Sequence, residues 1–204
     1  MFTGIVSDIG TIKSIEQRGD LRVVIQCSYD LDSVDMGASI SCSGVCLTVV
    51  DKGSDWFSVD VSNETISCTA QGQFASGQKL NLERAMKIGD ELGGHIVTGH
   101  IDGVGEVVEL ENVGDSMRVV IRTSSELAPY IAAKGSMTVD GISLTVNAVE
   151  DRDGGGVDFT LNIIPHTAEV TTFADLSVGR AVNLEIDVLA RYLARMEQVK
   201  SLSM

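Results

Sequence analysis

Ser39-Ile40-Ser41-Cys42-Ser43-Gly44-Val45-Cys46-Leu47-Thr48-Val49 is written a second time, with changes, as Ser136-Met137-Thr138-Val139-Asp140-Gly141-Ile142-Ser143-Leu144-Thr145-Val146. The offset is a constant 97, and Ser, Gly, Leu, Thr and Val recur in place. Upstream, Thr3-Gly4-Ile5-Val6 aligns with Thr98-Gly99-His100-Ile101 at an offset of 95, and Gly10 with Gly105. Downstream, Asn81-Leu82-Glu83 aligns with Asn183-Leu184-Glu185 at an offset of 102, and Gly77 with Gly179. The extra residues fall in the loop Glu150-Asp151-Arg152-Asp153-Gly154-Gly155-Gly156. A period this long is a duplicated domain, because solenoid repeats run to about 20–50 residues. The expected division is 1–95, 96–187 and a tail, 188–204.

Each copy reads as short strands. Ser39–Val49 and Ser136–Val149 alternate around a glycine, Arg22–Ile25 and Arg118–Ile121 are Val/Ile runs, and Trp56–Val61 and Val157–Ile164 are strand-like. Lys79–Glu83 and Ala181–Ile186 follow glycine turns. About six strands per copy predict an all-β fold of two small antiparallel barrels. Ser124–Lys134 is the best internal helix candidate, capped by Ser124 or Ser125 and stopped by Gly135. In the tail, Val188, Leu189, Tyr192, Leu193, Met196 and Val199 recur at helical spacing. That helix is too short to be stable alone, so it either docks on its own barrel or pairs with copies of itself.

Composition removes whole classes. The 204 residues carry 15 basic and 29 acidic side chains, a formal charge of −14. Nucleic acids and anionic membranes, which are held by clustered Lys and Arg, are therefore not expected partners. No apolar run reaches the ~18 residues of a membrane helix, and Met1-Phe2-Thr3-Gly4 opens without a signal peptide. Cys27, Cys42, Cys46 and Cys68 lack zinc-ligand spacing, so no metal is expected and the setting reads as reducing and cytoplasmic, with free thiols.

The copies are alike in apolar positions and unlike in polar ones. Cys46 faces Ser143, Ile5 faces His100, Asn63-Glu64-Thr65 faces Pro165-His166-Thr167, and Arg84-Ala85 faces Ile186-Asp187. Two related pockets with unequal work are implied. Each residue also has a plainer reading. Cys46 in a β-run is an ordinary core thiol. His95 and His100, five apart, fall on opposite faces of a strand, which argues against a shared metal, although a histidine flanked by glycine on a strand edge suits a base. Ser143 and Thr145 share a face and could hold one ligand or simply be solvated. Asp187 suits the N-cap of the tail helix. No P-loop, GxGxxG or nucleophile elbow is present.

Met1-Phe2-Thr3-Gly4-Ile5-Val6, Gly44-Val45-Cys46-Leu47-Thr48-Val49, Asn63-Glu64-Thr65, Gly93-Gly94-His95, Gly99-His100, Asp140-Gly141-Ile142-Ser143-Leu144-Thr145 and Ile164-Pro165-His166-Thr167 together resemble the riboflavin synthase family, α-chain type, across nearly the whole chain. The resemblance implies two six-stranded Greek-key barrels, each binding one 6,7-dimethyl-8-ribityllumazine. It implies a homotrimer held by C-terminal helices, with an active site between the first barrel of one chain and the second of its neighbour. There a four-carbon unit passes between two lumazines, giving riboflavin and 5-amino-6-ribitylaminouracil without cofactor or metal. Lumazine synthase enters as a partner only through this resemblance.

The same resemblance assigns residues. His100 with Thr145 matches the proton-handling pair, Cys46 and Ser143 stand beside the two rings, Asp187 is an acidic interface residue, and Ser39 a further polar one. Main-chain groups of Gly4, Ile5 and Val6, of Cys46, Leu47 and Thr48, of Gly99, His100 and Ile101, and of Ser143, Leu144 and Thr145 would meet the ring edges. Asp60, Val61, Ser62, Asn63, Glu64 and Thr65 would meet ring and ribityl hydroxyls. So would Asn162, Ile163, Ile164, Pro165, His166 and Thr167, with Lys134. Phe2 would exclude water from the first pocket. Val45 stands where some members carry a second Cys, and His166 where others carry Glu. The alternative is a non-catalytic lumazine- or flavin-binding protein of the same fold.

Overall fold

The computed structural model describes residues 1–201, and nearly all of its regular structure is antiparallel strand. The first copy contains β1 (Asp8–Arg18), β2 (Asp20–Gln26), β3 (Ser39–Cys42), β4 (Val45–Lys52) and β5 (Trp56–Val61), then a short helix α1 (Asn63–Cys68) and β6 (Lys79–Arg84). The second contains β7 (Gly103–Val113), β8 (Ser116–Thr123), β9 (Ser136–Val139), β10 (Ile142–Thr145), β11 (Ala148–Asp151) and β12 (Val157–Ile163), then α2 (Pro165–Val170) and β13 (Ala181–Ile186). Helix α3 (Val188–Ser201) follows. No helix among the described residues is long and apolar enough to cross a membrane.

The first copy closes as β1-β2-β5-β4-β3-β6. The second runs β10-β9-β13-β7-β8-β12-β11, the same circuit with its fourth strand cut in two. The first copy bears only a bulge between Val49 and Asp51 where it pairs β5. At the equivalent place the second breaks altogether, so β10 lies on β9 and β11 on β12. The amide of Asn147, in the break, still donates to Thr160 O on β12 at 2.7 Å.

Period-two patterning gives each copy its own core. Along β12, Val157, Phe159, Leu161 and Ile163 point inward, and Asp158, Thr160 and Asn162 do not. Ile25, Phe57, Val59 and Leu82 pack in the first core, and Val119, Ile121, Phe159 and Leu184 in the second. Each such side chain contributes roughly 1.5–3 kcal/mol by leaving water. Between the copies, the buried Asn81 donates from Nδ2 to Asp140 O at 2.9 Å and accepts from Thr172 N at 2.8 Å. Its counterpart Asn183 donates to Ser43 O at 2.9 Å and accepts from Ala70 N at 2.7 Å. Equivalent residues make equivalent bonds in both directions, so the copies meet about a local twofold axis, with these buried amides satisfied.

The helix expected at Ser124–Lys134 is reduced to a single 3-10 turn, Ala128–Tyr130. Pro129 has no amide proton to carry an α-helix through the segment, and Leu127 and Ile131 instead plug the second core. The tail helix forms, but its apolar stripe does not dock on its own chain. Leu189, Tyr192, Leu193 and Met196 are 57–66% exposed. Residues 202–204 of the expected tail lie outside the described residues.

Candidate active site

Two short segments, equivalent at an offset of 95, set the geometry. Glu83 at the end of β6 accepts from Thr3 N and Thr3 Oγ1, both at 2.7 Å, and from Gly4 N at 2.9 Å. Glu185 on β13 accepts from Thr98 N and Thr98 Oγ1 at 2.6 Å, Gly99 N at 2.9 Å and His100 N at 3.2 Å. Burial pushes the Glu83 carboxyl above its ordinary range, against the pull of the bonds from Thr3 and Gly4. A carboxylate that gathers several backbone amides clamps the loop supplying them.

Each clamped loop then reaches across to the other copy. Ser143 N donates to Gly4 O, and Cys46 N donates to Gly99 O, both at 2.8 Å. The crossing needs glycine: φ is +76° at Gly4 and +82° at Gly99. A Cβ on Gly4 would lie 2.5 Å from Ser143 Cβ, and one on Gly99 would lie 2.6 Å from Cys46 Cβ. The next apolar residues follow the exchange: Val6 packs on the second core and Ile101 on the first. Cys46, Leu47 and Thr48 are thus joined to Gly99, His100 and Ile101, while Ser143, Leu144 and Thr145 are joined to Gly4, Ile5 and Val6.

The other expected residues distribute as follows. Phe2 is fully buried and bridged to Val97, with its amide donating to Val97 O at 2.7 Å. Ser39 pairs with Thr48 across β3 and β4, and their counterparts Ser136 and Thr145 pair across β9 and β10. Ser62 caps α1 by accepting from Thr65 N at 3.1 Å, so Asn63 and Glu64 form its exposed first turn. Pro165 opens α2 after Ile164, where no side chain caps. Lys134 sits in a turn with φ +68°, and its amide donates to Val146 O at 2.7 Å. Asp60 turns away from the core into a two-pronged ion pair with Arg22, Nε to Oδ1 at 2.5 Å and Nη2 to Oδ2 at 3.0 Å. Asp187 caps α3, accepting from Leu189 N at 2.9 Å.

His100 and Thr145 are not brought together within one chain. His100 is exposed on the loop bound to Cys46, Thr145 ends β10 in the other copy, and among the described residues no hydrogen bond joins them. The pair of histidines expected on opposite faces of a strand lies outside any named strand, and the rings part. Missing from the expected set is His95, whose Nδ1 is 2.7 Å from Ser143 Oγ and whose Nε2 is 3.1 Å from Thr138 Oγ1. Burial pushes its pKa down, partly opposed by Asp187. Also missing were the two clamping glutamates, although their signal, the repeated Asn-Leu-Glu, stands in the sequence. A cavity of about 500 Å³ between the copies, lined by Ser43, Lys79, Asp140 and Arg180, contains none of the expected residues. A second, about 480 Å³, lies beside Ile5 against Glu83, Arg84 and Met86.

The lumazine binding domain matches this chain twice, over residues 3–85 and 98–187. The riboflavin synthase of Brucella abortus (strain 2308) is 47% identical over 97% of this chain and 98% of its own length. That of Bacillus subtilis (strain 168) is 38% identical over 96% and 89%. Among solved structures, LumP complexed with riboflavin gives a TM-score of 0.81 at 29% identity, covering 91% of this chain and 99% of that one. LumP complexed with 6,7-dimethyl-8-(1'-D-ribityl) lumazine gives 0.78 at 27% identity over the same shares. With two copies of the domain, crossed loops at both sites and full-length relatives of this similarity, the chain belongs to the lumazine-binding family of riboflavin synthases.

Proposed function

We propose that this protein is a riboflavin synthase, a transferase that moves a four-carbon unit between two molecules of 6,7-dimethyl-8-ribityllumazine. The products, riboflavin and 5-amino-6-ribitylaminouracil, together contain all the atoms of the two substrates, so the stoichiometry demands no oxidant or reductant. The observation that carries the reading is the reciprocal crossing of Gly4 to Ser143 and Gly99 to Cys46. It builds two related sites on one chain for a reaction whose two substrates are the same molecule.

The lumazine C7 methyl is acidic because its anion delocalises into the ring, so a modest base serves and positioning supplies much of the rate. His100 with Thr145 is the base pair of this reading, and Cys46 and Ser143 lie beside the two rings. Within one chain the loop carrying His100 crosses to the first barrel at Cys46, whereas Thr145 ends β10 in the second. A neighbouring chain would unite them, which supports a site shared between the first unit of one chain (1–95) and the second of the next (96–187). The exposed apolar stripe of α3 supports a homotrimer joined by the tail (188–204). Placement in the cytoplasm and association with lumazine synthase rest on the family resemblance.

Full-length relatives named riboflavin synthase favour the enzyme over a non-catalytic binder. The test is to mix purified protein with the lumazine alone. One riboflavin should form for every two lumazines consumed, and tight binding without turnover would refute the proposal.

A further inference from the structure

Among the described residues, the histidine that meets Ser143 has no equivalent in the first copy. In the second copy Thr138 and Ser143 are register partners on β9 and β10, and the His95 ring links their hydroxyls. In the first copy the register partners are Ser41 and Cys46, and among the described residues no imidazole is hydrogen-bonded between them.

The direction of the hydrogen bonds follows from burial. Thr138 is 1% exposed, and among the described residues the ring is its hydroxyl's only partner. A buried hydroxyl proton without an acceptor costs more than an unused lone pair. Thr138 therefore donates to Nε2, which places the ring proton on Nδ1, where it is donated to Ser143 Oγ. The Ser143 proton is then left to point outward from its half-buried site. The lowered pKa keeps the ring neutral near pH 7, as this arrangement requires.

We propose that His95, held by Thr138, is a positioning residue that fixes the Ser143 hydroxyl as a hydrogen-bond donor to the lumazine in the second pocket. The proposal rests on the riboflavin synthase reading. A lumazine that has lost a C7 methyl proton carries its charge on ring nitrogen and carbonyl oxygen, so an outward donor strengthens as the anion forms. The effect should fall on kcat rather than KM.

The test combines steady-state kinetics on lumazine with ring-nitrogen NMR of histidine-labelled protein. Thr138→Val removes the donor to Nε2 without touching the pocket. The ring keeps its proton on Nδ1, because a bare Nε2 costs less than an unpaired Nε2–H, but it loses the bond that fixes its plane against Ser143; kcat should fall about tenfold with KM nearly unchanged, while Thr138→Ser should restore kcat to within about twofold. The wild-type ring should be protonated on Nδ1 and bare on Nε2. A wild-type ring protonated on Nε2, or a folded Thr138→Val variant with wild-type kcat, overturns the proposal. The tautomer is read on the unmodified protein, so it decides the matter if Thr138→Val fails to fold. It also decides it if the wild type binds lumazine without turning it over, the outcome that instead sinks the functional reading.

Discussion

The two copies share a circuit of strands and a pair of clamping glutamates, yet they finish differently. The first closes its barrel and carries Cys46 with the exposed His100 beside it. The second breaks its fourth strand, and it carries Ser143 braced by His95. The difference teaches that duplication fixed the frame of each pocket, whereas the chemistry came from what each copy received at the crossing. In the first copy no imidazole links the register partners Ser41 and Cys46 among the described residues. The second is preceded by a linker, and that linker supplies an imidazole.

The comparison can be broken most severely at the crossing. Gly99→Val forces a β-branched side chain into positive φ and into Cys46, and Gly4→Val does the same against Ser143. Each should cost about 3 kcal/mol or more and abolish lumazine binding at the site it disrupts, read by thermal unfolding and ligand titration. Loss confined to the other site would refute the crossed assignment. Next come the clamps. Glu185 gathers one more backbone amide than Glu83. Glu185→Gln should therefore destabilise by about 2–3 kcal/mol and Glu83→Gln by less, measured as denaturant midpoints. Equal losses would mean the clamps are interchangeable.

A smaller effect separates the copies by pH. The folded pKa of His95 lies below its ordinary value of 6.5. As pH falls from about 6.5 through the folded pKa, the unfolded chain takes up this proton first, so stability drops over that interval. His95→Gln should flatten the drop, and an unchanged pH dependence would mean the ring is not held neutral by the fold. The smallest effect expected is Cys46→Ser, which gives the first copy the second copy's residue. The Cys46 amide bond to Gly99 is main-chain and persists, so activity should change by no more than about threefold. A loss of about a hundredfold would assign the thiol a chemical step.

Much of this was legible in the sequence. Period-two patterning around Gly44 and Gly141 fixed the strands, and constant offsets fixed the duplication. The resemblance assigned Cys46, Ser143, His100 and Thr145 to one reaction. The broken fourth strand was not legible, because Val146-Asn147 reads as a continuation of the alternating run. Ser124–Lys134 carries capping residues at its start and Gly135 at its end, but the missing amide of Pro129 outweighs them. Strand periodicity says nothing of His95, because its segment is not a strand. Its partners are 43 and 48 residues away, a separation that local pattern does not encode.

The central claim is that each chain carries two unequal pockets completed across chains. Block the first pocket with Cys46→Arg in one chain and the second with Ser143→Arg in another, then compare each alone with the two co-expressed. The account predicts that each variant is inactive alone, and that the mixture regains riboflavin formation through sites built from one intact first pocket and one intact second pocket. A mixture as inactive as its parts, with both variants shown to assemble together, would contradict it.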